Sequence, residues 1–169
     1  MRVLGIDPGS QSTGYGIIDS GETSYTVRTF GTIRPSRRLP FHLKLSEIAR
    51  GVEEIIAAHS PDEVAIESPF YAQNIKTALA LGQVRGAVLV AVALTGCPLS
   101  EYSALEIKKA VTGYGQAEKL QVNTMVKALL NVDGEVETDA SDALAAAICH
   151  LNTRLFQKTV EESAGGGRR

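Results

Sequence analysis

Met1-Arg2-Val3-Leu4-Gly5-Ile6-Asp7-Pro8-Gly9-Ser10 opens the chain, and Tyr15-Gly16-Ile17-Ile18-Asp19-Ser20-Gly21 follows shortly after. Each segment is a short apolar run that ends on an aspartate and then on turn-forming residues, the pattern of a β-hairpin. Tyr25 to Ile33 sets Tyr25, Val27, Thr29 and Gly31 against Thr26, Arg28, Phe30 and Thr32, the period-two signature of a third strand. The period then changes. Leu45, Ile48, Val52, Ile55 and Ile56 share one helical face, and Ser60-Pro61-Asp62 stops that helix. Val64-Ala65-Ile66 reads as a short buried strand ending on Glu67, because Pro69 has no N–H to give to a sheet ladder.

Further along, Ile75 to Leu94 reads as a long apolar helix, expected to be buried, with Gly82 and Gly86 four residues apart. Each interior glycine costs about 0.8 to 1.0 kcal/mol relative to alanine, so close backbone approach has to offset it. The helix is apolar on too many sides for a single packing face, which points to a dimer. A strand fits Pro98 to Tyr102. Helices fit Ala104 to Val111 and Glu118 to Leu130, separated by the flexible loop Thr112-Gly113-Tyr114-Gly115-Gln116. Thr138 is an N-cap candidate for a last helix reaching about Phe156. The expected organisation is a single domain over residues 1–157 and a flexible tail over 158–169. Three antiparallel strands followed by alternating helices and strands predict an α/β domain, a mixed five-stranded sheet flanked by helices in the order of the ribonuclease H-like fold.

Length and composition agree with one domain. The chain has 169 residues, 44% hydrophobic and 21% charged, enough to build a core and unlike a disordered or collagen-like chain. Ala78 to Cys97 is interrupted by Gln83 and Arg85, and the clean part from Gly86 to Leu94 falls short of the ~20 residues of a membrane span. The first apolar run meets Asp7 too early for a signal peptide, so a cytoplasmic protein with no membrane partner is expected. Cys97 and Cys149 lie far apart in apolar surroundings and read as small core residues. A net charge of -2 speaks against a general nucleic-acid binder. Subtract four ligand carboxylates from the 19 acidic residues, however, and the 17 bases are in excess by two.

Four acids are placed to do chemistry. Asp7 ends the first strand, Glu67 ends the fourth, and Asp139 and Asp142 lie three apart in the first turn of the last helix, on one face. Ligands of open α/β sheets gather where strand ends meet helix termini, so all four can converge on one edge. Ionised together they would repel, unless cations neutralise them. Hard divalent ions suit oxygen ligands, Mg²⁺ first among them. Two such ions ~3.5 to 4 Å apart would activate a water and stabilise the leaving oxygen of an in-line phosphodiester displacement, with Asp7 shared between them. Each acid alone has an ordinary explanation. Asp139 and Asp142 would favour a helix N-terminus by ~0.3 to 1 kcal/mol each, Asp7-Pro8-Gly9 would make a turn, and Glu67 would meet solvent at a strand end. Their joint placement tips the balance toward a site. Gly9 to Gly14 has P-loop spacing, but Tyr15 and Gly16 stand where Lys and Ser/Thr are required, and no Gly-x-Gly-x-x-Gly fingerprint occurs. His42, His59 and His150 lack metal spacing and read as surface or core residues; a Ser-His-Asp triad stays open, without a Gly-x-Ser-x-Gly elbow.

Six ordered motifs carry a resemblance: Gly5-Ile6-Asp7-Pro8-Gly9-Ser10 with Thr13-Gly14-Tyr15-Gly16, Ala65-Ile66-Glu67 with Phe70, Gly82-Gln83-Val84-Arg85-Gly86, Glu101-Tyr102, Gly115-Gln116-Ala117-Glu118-Lys119, and Asp139-Ala140-Ser141-Asp142-Ala143-Leu144-Ala145. Over about Val3 to Leu151 the chain resembles the RuvC family of bacterial Holliday junction resolvases. The resemblance implies a homodimeric, Mg²⁺-dependent endonuclease, with two ions per site and Mn²⁺ able to substitute. Such an enzyme nicks four-way junction DNA symmetrically, leaves 5′-phosphate and 3′-hydroxyl ends, and works with RuvA and RuvB. It makes Asp7, Glu67, Asp139 and Asp142 metal-binding catalytic carboxylates, Phe70 an aromatic that stacks on junction bases, and Lys108 and Lys119 DNA contacts. The plain alternatives are a loop aromatic lying on the sheet and a solvated lysine face. The turn at Asp7 also resembles the phosphate loop of actin-like ATPases and sugar kinases, which clasp nucleotide between two such domains where this chain has length for one. A catalytically dead junction-binding module would be expected to break the carboxylate set, which is complete here.

Overall fold

The first strand of the chain is the central one of the sheet. In the computed structural model, which describes residues 1–21, 24–68 and 74–165, the sheet comprises β1 (Arg2–Asp7), β2 (Thr13–Ser20), β3 (Tyr25–Ile33), β4 (Glu63–Ser68) and β5 (Leu99–Ser103), in the order β3-β2-β1-β4-β5. β1 pairs antiparallel with β2, and β2 with β3, whereas β1–β4 and β4–β5 are parallel. Parallel pairing of β1 and β4, with Ile6 opposite Ile66, brings the next residues, Asp7 and Glu67, out at the same edge. The helices are α1 (Phe41–His59), α2 (Ile75–Thr95), α3 (Ala104–Thr112), α4 (Lys119–Leu130) and α5 (Thr138–Gly165). The mixed sheet and its element order are those expected from the sequence.

Strand periodicity divides the core into two layers. Leu4, Ile6, Ile17, Val64 and Ile66 face one side and pack against Ile48, Val52 and Ile56 of α1 and Val84, Val88, Ala91 and Val92 of α2. Val3, Ile18, Ala65 and Tyr102 face the other side and meet α3, α4 and α5. By the same alternation Asp7, in phase with Val3, and Glu67, in phase with Ala65, belong to the α5 side.

Two glycines set the height of α5 over that side. A Cβ on Gly5 would lie 1.9 Å from the Ala143 carbonyl oxygen, and one on Gly14 would lie 1.8 Å from that of Asp139. Only glycine permits this approach, so the first turns of α5 rest directly on β1 and β2, next to the strand end that carries Asp7. Residues Ala140, Ala143, Leu144, Ala147 and Ile148 complete the buried face of the helix.

Three expectations change. Residues 158–165, expected as part of a flexible tail, continue α5 as helix. No helix breaker precedes Gly165, and the segment carries local support from a Lys158–Glu162 pair at 3.9 Å and from Ser163 Oγ donating to the Thr159 carbonyl at 2.8 Å. Secondly, α2 is not buried all round: Ile75, Leu79, Val90 and Leu94 are exposed. Among the described residues, Cβ atoms on Gly82 and Gly86 would meet nothing within 4 Å, so no close approach there offsets their cost. Thirdly, the 21 residues of α2 are, by length and composition, long and apolar enough to cross a membrane. Its inner face is nonetheless committed to α1 and the sheet, and Arg85 pairs with Glu101 of β5.

Candidate active site

Asp7, Glu67 and Asp142 open onto one cavity of about 230 Å³, together with Lys108 of α3 and Lys119 of α4. Ala104, Ile107 and Val122 form its apolar wall. The carboxylates come from three elements. Asp7 is the last residue of β1, held where the chain leaves the sheet by Thr13, whose buried hydroxyl donates to the Gly9 carbonyl at 2.9 Å and accepts from the Gly9 N–H at 3.3 Å. Glu67 comes from the adjacent strand end, and Asp142 from the α5 turn that the glycine contacts lower onto the sheet. Lys119 is the first residue of α4, whose start is fixed by Gln121 Oε1 accepting the Glu118 N–H at 2.8 Å.

The electrostatics follow from this crowding. Burial first, and then the charges of Glu67, Asp142 and Asp139, push the Asp7 carboxyl up to about 7. Burial and Asp142 also raise Glu67, with Lys119 and Lys108 pulling the other way. Lys119 Nζ donates to Asp142 Oδ2 at 3.1 Å, and the attraction of Asp142 raises the ammonium above its ordinary value. Asp139 stands apart: it does not line the cavity and reaches Asp7 only through its charge. Phe70 lies outside the described residues.

All the donors here are carboxylate oxygens. Among the described residues no three acidic, histidine or cysteine side chains stand close enough together to ligate one ion. The donor chemistry nevertheless fits a hard divalent cation, because an aspartate pushed up to about 7 by burial and by three neighbouring carboxylates gains most from a compensating positive charge. Closing the set on an ion would require side-chain rotation, including release of Asp142 from Lys119.

Sequence reasoning did not find two polar contacts in the recurring motifs. Glu101 pairs with Arg85, tying α2 to the edge strand. Its neighbour Tyr102 hydrogen-bonds to buried His150, which also bonds Glu63. Period-two alternation signals that Glu101 and Tyr102 take opposite faces, but no local pattern names their partners.

The family model for "Crossover junction endodeoxyribonuclease RuvC" matches residues 3–150. The chain belongs to the RuvC family. A family member from Geobacter metallireducens is 50% identical over 153 residues, which cover 90% of this chain and 93% of that protein. The RuvC of Halorhodospira halophila is 48% identical over 168 residues, 99% of each chain. The structure of Thermus thermophilus RuvC in complex with Holliday junction substrate superposes with a TM-score of 0.85 at 30% identity, over 91% of this chain and 94% of that one. The yeast mitochondrial resolvase Ydc2, at 14% identity and a TM-score of 0.67 over 93% of this chain and 80% of that one, shares the fold. RuvC family nucleases are metal-dependent, in keeping with an all-oxygen donor set.

Proposed function

We propose that this chain is a structure-selective endodeoxyribonuclease that resolves four-way DNA junctions by paired symmetric nicks, in recombination and repair. The observation that carries this reading is the meeting of Asp7, Glu67 and Asp142 with Lys108 and Lys119 in one cavity, in a chain of the RuvC family. The reaction is hydrolysis of a phosphodiester, leaving 5′-phosphate and 3′-hydroxyl ends. Asp7, Glu67 and Asp142, with Asp139 beside them, would hold two Mg²⁺ ions, for which Mn²⁺ would substitute. Bound there, such ions supply an activated water and charge stabilisation for the leaving oxygen. Lys108 and Lys119, lining the same cavity, would hold the phosphate backbone. Ala104, Ile107 and Val122 exclude water from one side, which strengthens every charge interaction in the cavity. Phe70 is assigned to stacking on opened junction bases.

The nuclease is assigned as a homodimer. Ile75, Leu79, Gly82, Gly86, Val90 and Leu94 follow one another at spacings of three or four, so they form a single stripe along α2. Its large side chains are exposed and its glycines meet nothing among the described residues, as expected of a face on which a second α2 can lie closely. An apolar groove of about 530 Å³ between α1 and α2, reaching Gly86 and Val90, continues that face. A twofold dimer would present two identical sites to two strands of like polarity. Sedimentation at micromolar concentration with junction present should give the dimer; a monomer alone would contradict it. RuvA and RuvB are the proposed working partners, in the cytoplasm.

The deciding experiment incubates the purified protein with a four-way junction, a linear duplex or ATP, with and without Mg²⁺ or Mn²⁺. Paired nicking confined to the junction and to metal-containing samples is expected. ATP hydrolysis without nicking would favour the actin-like reading of the Asp7 turn.

A further inference from the structure

Lys119 does two things that a simple phosphate contact would not. Its ammonium sits 3.1 Å from Asp142 Oδ2, on one of the carboxylates assigned to the metal, while its side chain is 75% exposed against 19% for Asp142. Its charge also acts on Asp7 and Glu67. Lys108 lines the same cavity, but no carboxylate lies within ion-pair distance of it among the described pairs, and its charge reaches Glu67 through space. The two lysines therefore differ in one respect: only Lys119 occupies a ligand position.

We infer that Lys119 is an exchangeable counter-ion, whose ammonium holds Asp142 in the free protein and leaves it when a divalent cation takes that carboxylate, becoming available to a DNA phosphate. The inference rests on the metal-site reading above. Three observations support the exchange. The pair is exposed on the lysine side, and exposed ion pairs contribute little stability, so breaking it costs little. Asp142 sits on the rigid first turns of α5, so the movable member is the lysine. The exchange also conserves charge: the ammonium stays protonated and passes from one anion to another, from carboxylate to phosphate. Metal loading and phosphate engagement are thereby linked, because the cation frees Lys119 for the phosphate and the phosphate draws Lys119 off Asp142.

The test is Mn²⁺ binding to the DNA-free protein, read from the electron paramagnetic resonance signal of free Mn²⁺, for the native chain, Lys119→Met, Lys119→Arg, Lys108→Met and Asp7→Asn. Removing a competitor that also repels the cation should tighten Mn²⁺ binding by Lys119→Met by roughly tenfold, as expected for one unit charge several ångströms from a divalent ion. Lys119→Arg should stay close to native. Lys108→Met should tighten binding about threefold or less, through its more distant charge. Equal tightening by the two Lys→Met variants would reduce Lys119 to general electrostatics and overturn the exchange. Unchanged or weaker binding by Lys119→Met would overturn it as well. Native binding no stronger than that of Asp7→Asn would instead sink the metal-site reading, and this inference with it.

Discussion

The two ends of the sheet are built on opposite electrostatic rules. At one end of the sheet Asp19 takes hydrogen bonds from Arg2 and also pairs with Arg28, and its carboxyl is held down at about 2. Nearby, burial works to raise Glu63, yet Arg154 and His150 prevail and keep it below the usual carboxylate range. Burial keeps His150 below its ordinary value, hence neutral near pH 7, so its Nε2 donates to Glu63 Oε2 at 2.9 Å and its Nδ1 accepts from Tyr102 Oη at 2.8 Å. At the other end β1 presents Asp7, β4 presents Glu67 and α5 presents Asp142, with Lys119 as the one ion-paired cation among the described contacts of these three. Acids at the first end are satisfied and stabilise the fold. Those at the second are crowded and cost stability, which is what a site reserved for a cation requires.

The largest expected stability effect comes from Asp7→Asn in metal-free protein. Folding raises the Asp7 carboxyl from 3.8 to about 7, so the folded state binds the extra proton across that window. Stability from this group is therefore greatest below about pH 4 and falls as pH rises through 7. At pH 7.5 in EDTA, Asp7→Asn should be more stable than the native chain by about 2 to 4 kcal/mol, a gap that closes toward pH 4. Urea unfolding at both pH values checks this, and a gap independent of pH would show that the crowding is not felt.

Glu63→Gln should behave in the opposite sense. Because folding lowers this carboxyl, its contribution is present above the ordinary value of 4.5 and disappears as pH falls through the folded value. At pH 7 the substitution should cost about 1 to 3 kcal/mol, the range for hydrogen bonds to a charged group. Equal melting temperatures at pH 7 would mean that Arg154 and His150 stabilise nothing.

Gly82→Ala and Gly86→Ala should each stabilise the isolated helix by about 1 kcal/mol while weakening dimerisation. Sedimentation and melting at low protein concentration separate the two effects; stronger helices with unchanged association would place the dimer contact elsewhere. The smallest effect belongs to Lys108→Ala, which should weaken junction binding alike for all sequences and flatten its dependence on log salt by about 0.9. An unaltered slope would return Lys108 to a solvated helix face.

Much of this asymmetry was legible in the sequence. Asp7 and Glu67 stand out because each follows an apolar strand run, although β4 continues one residue past Glu67 to Ser68, and strand period with parallel pairing suffices to bring them to one edge. Asp142 follows from the i, i+3 pair at the start of α5. Asp139, singled out by the same spacing, does not line the cavity and acts on Asp7 through its charge. The network of Glu63, Tyr102, His150 and Arg154 was invisible, since its members are 39 to 91 residues apart for Tyr102, Glu63 and Arg154 and each has an ordinary local role. The length of α5 was missed because the segment after Phe156 carries few large apolar residues, although its local helix-forming contacts are sound. Hydrophobicity alone marks α2 as a helix with too many apolar sides for one packing face, but it does not say which side chains, Ile75, Leu79, Val90 and Leu94, stay exposed in the chain.

The crowded carboxylates are assigned here to phosphodiester hydrolysis. This assignment is tested most directly by nicking of a four-way junction with Mg²⁺ by Asp7→Asn, alongside junction binding without metal. Binding should survive, or tighten as repulsion toward the phosphates falls, while nicking should be lost because the acid at the centre of the sheet edge no longer supplies its charge. Normal Mg²⁺-dependent nicking by Asp7→Asn would contradict the assignment.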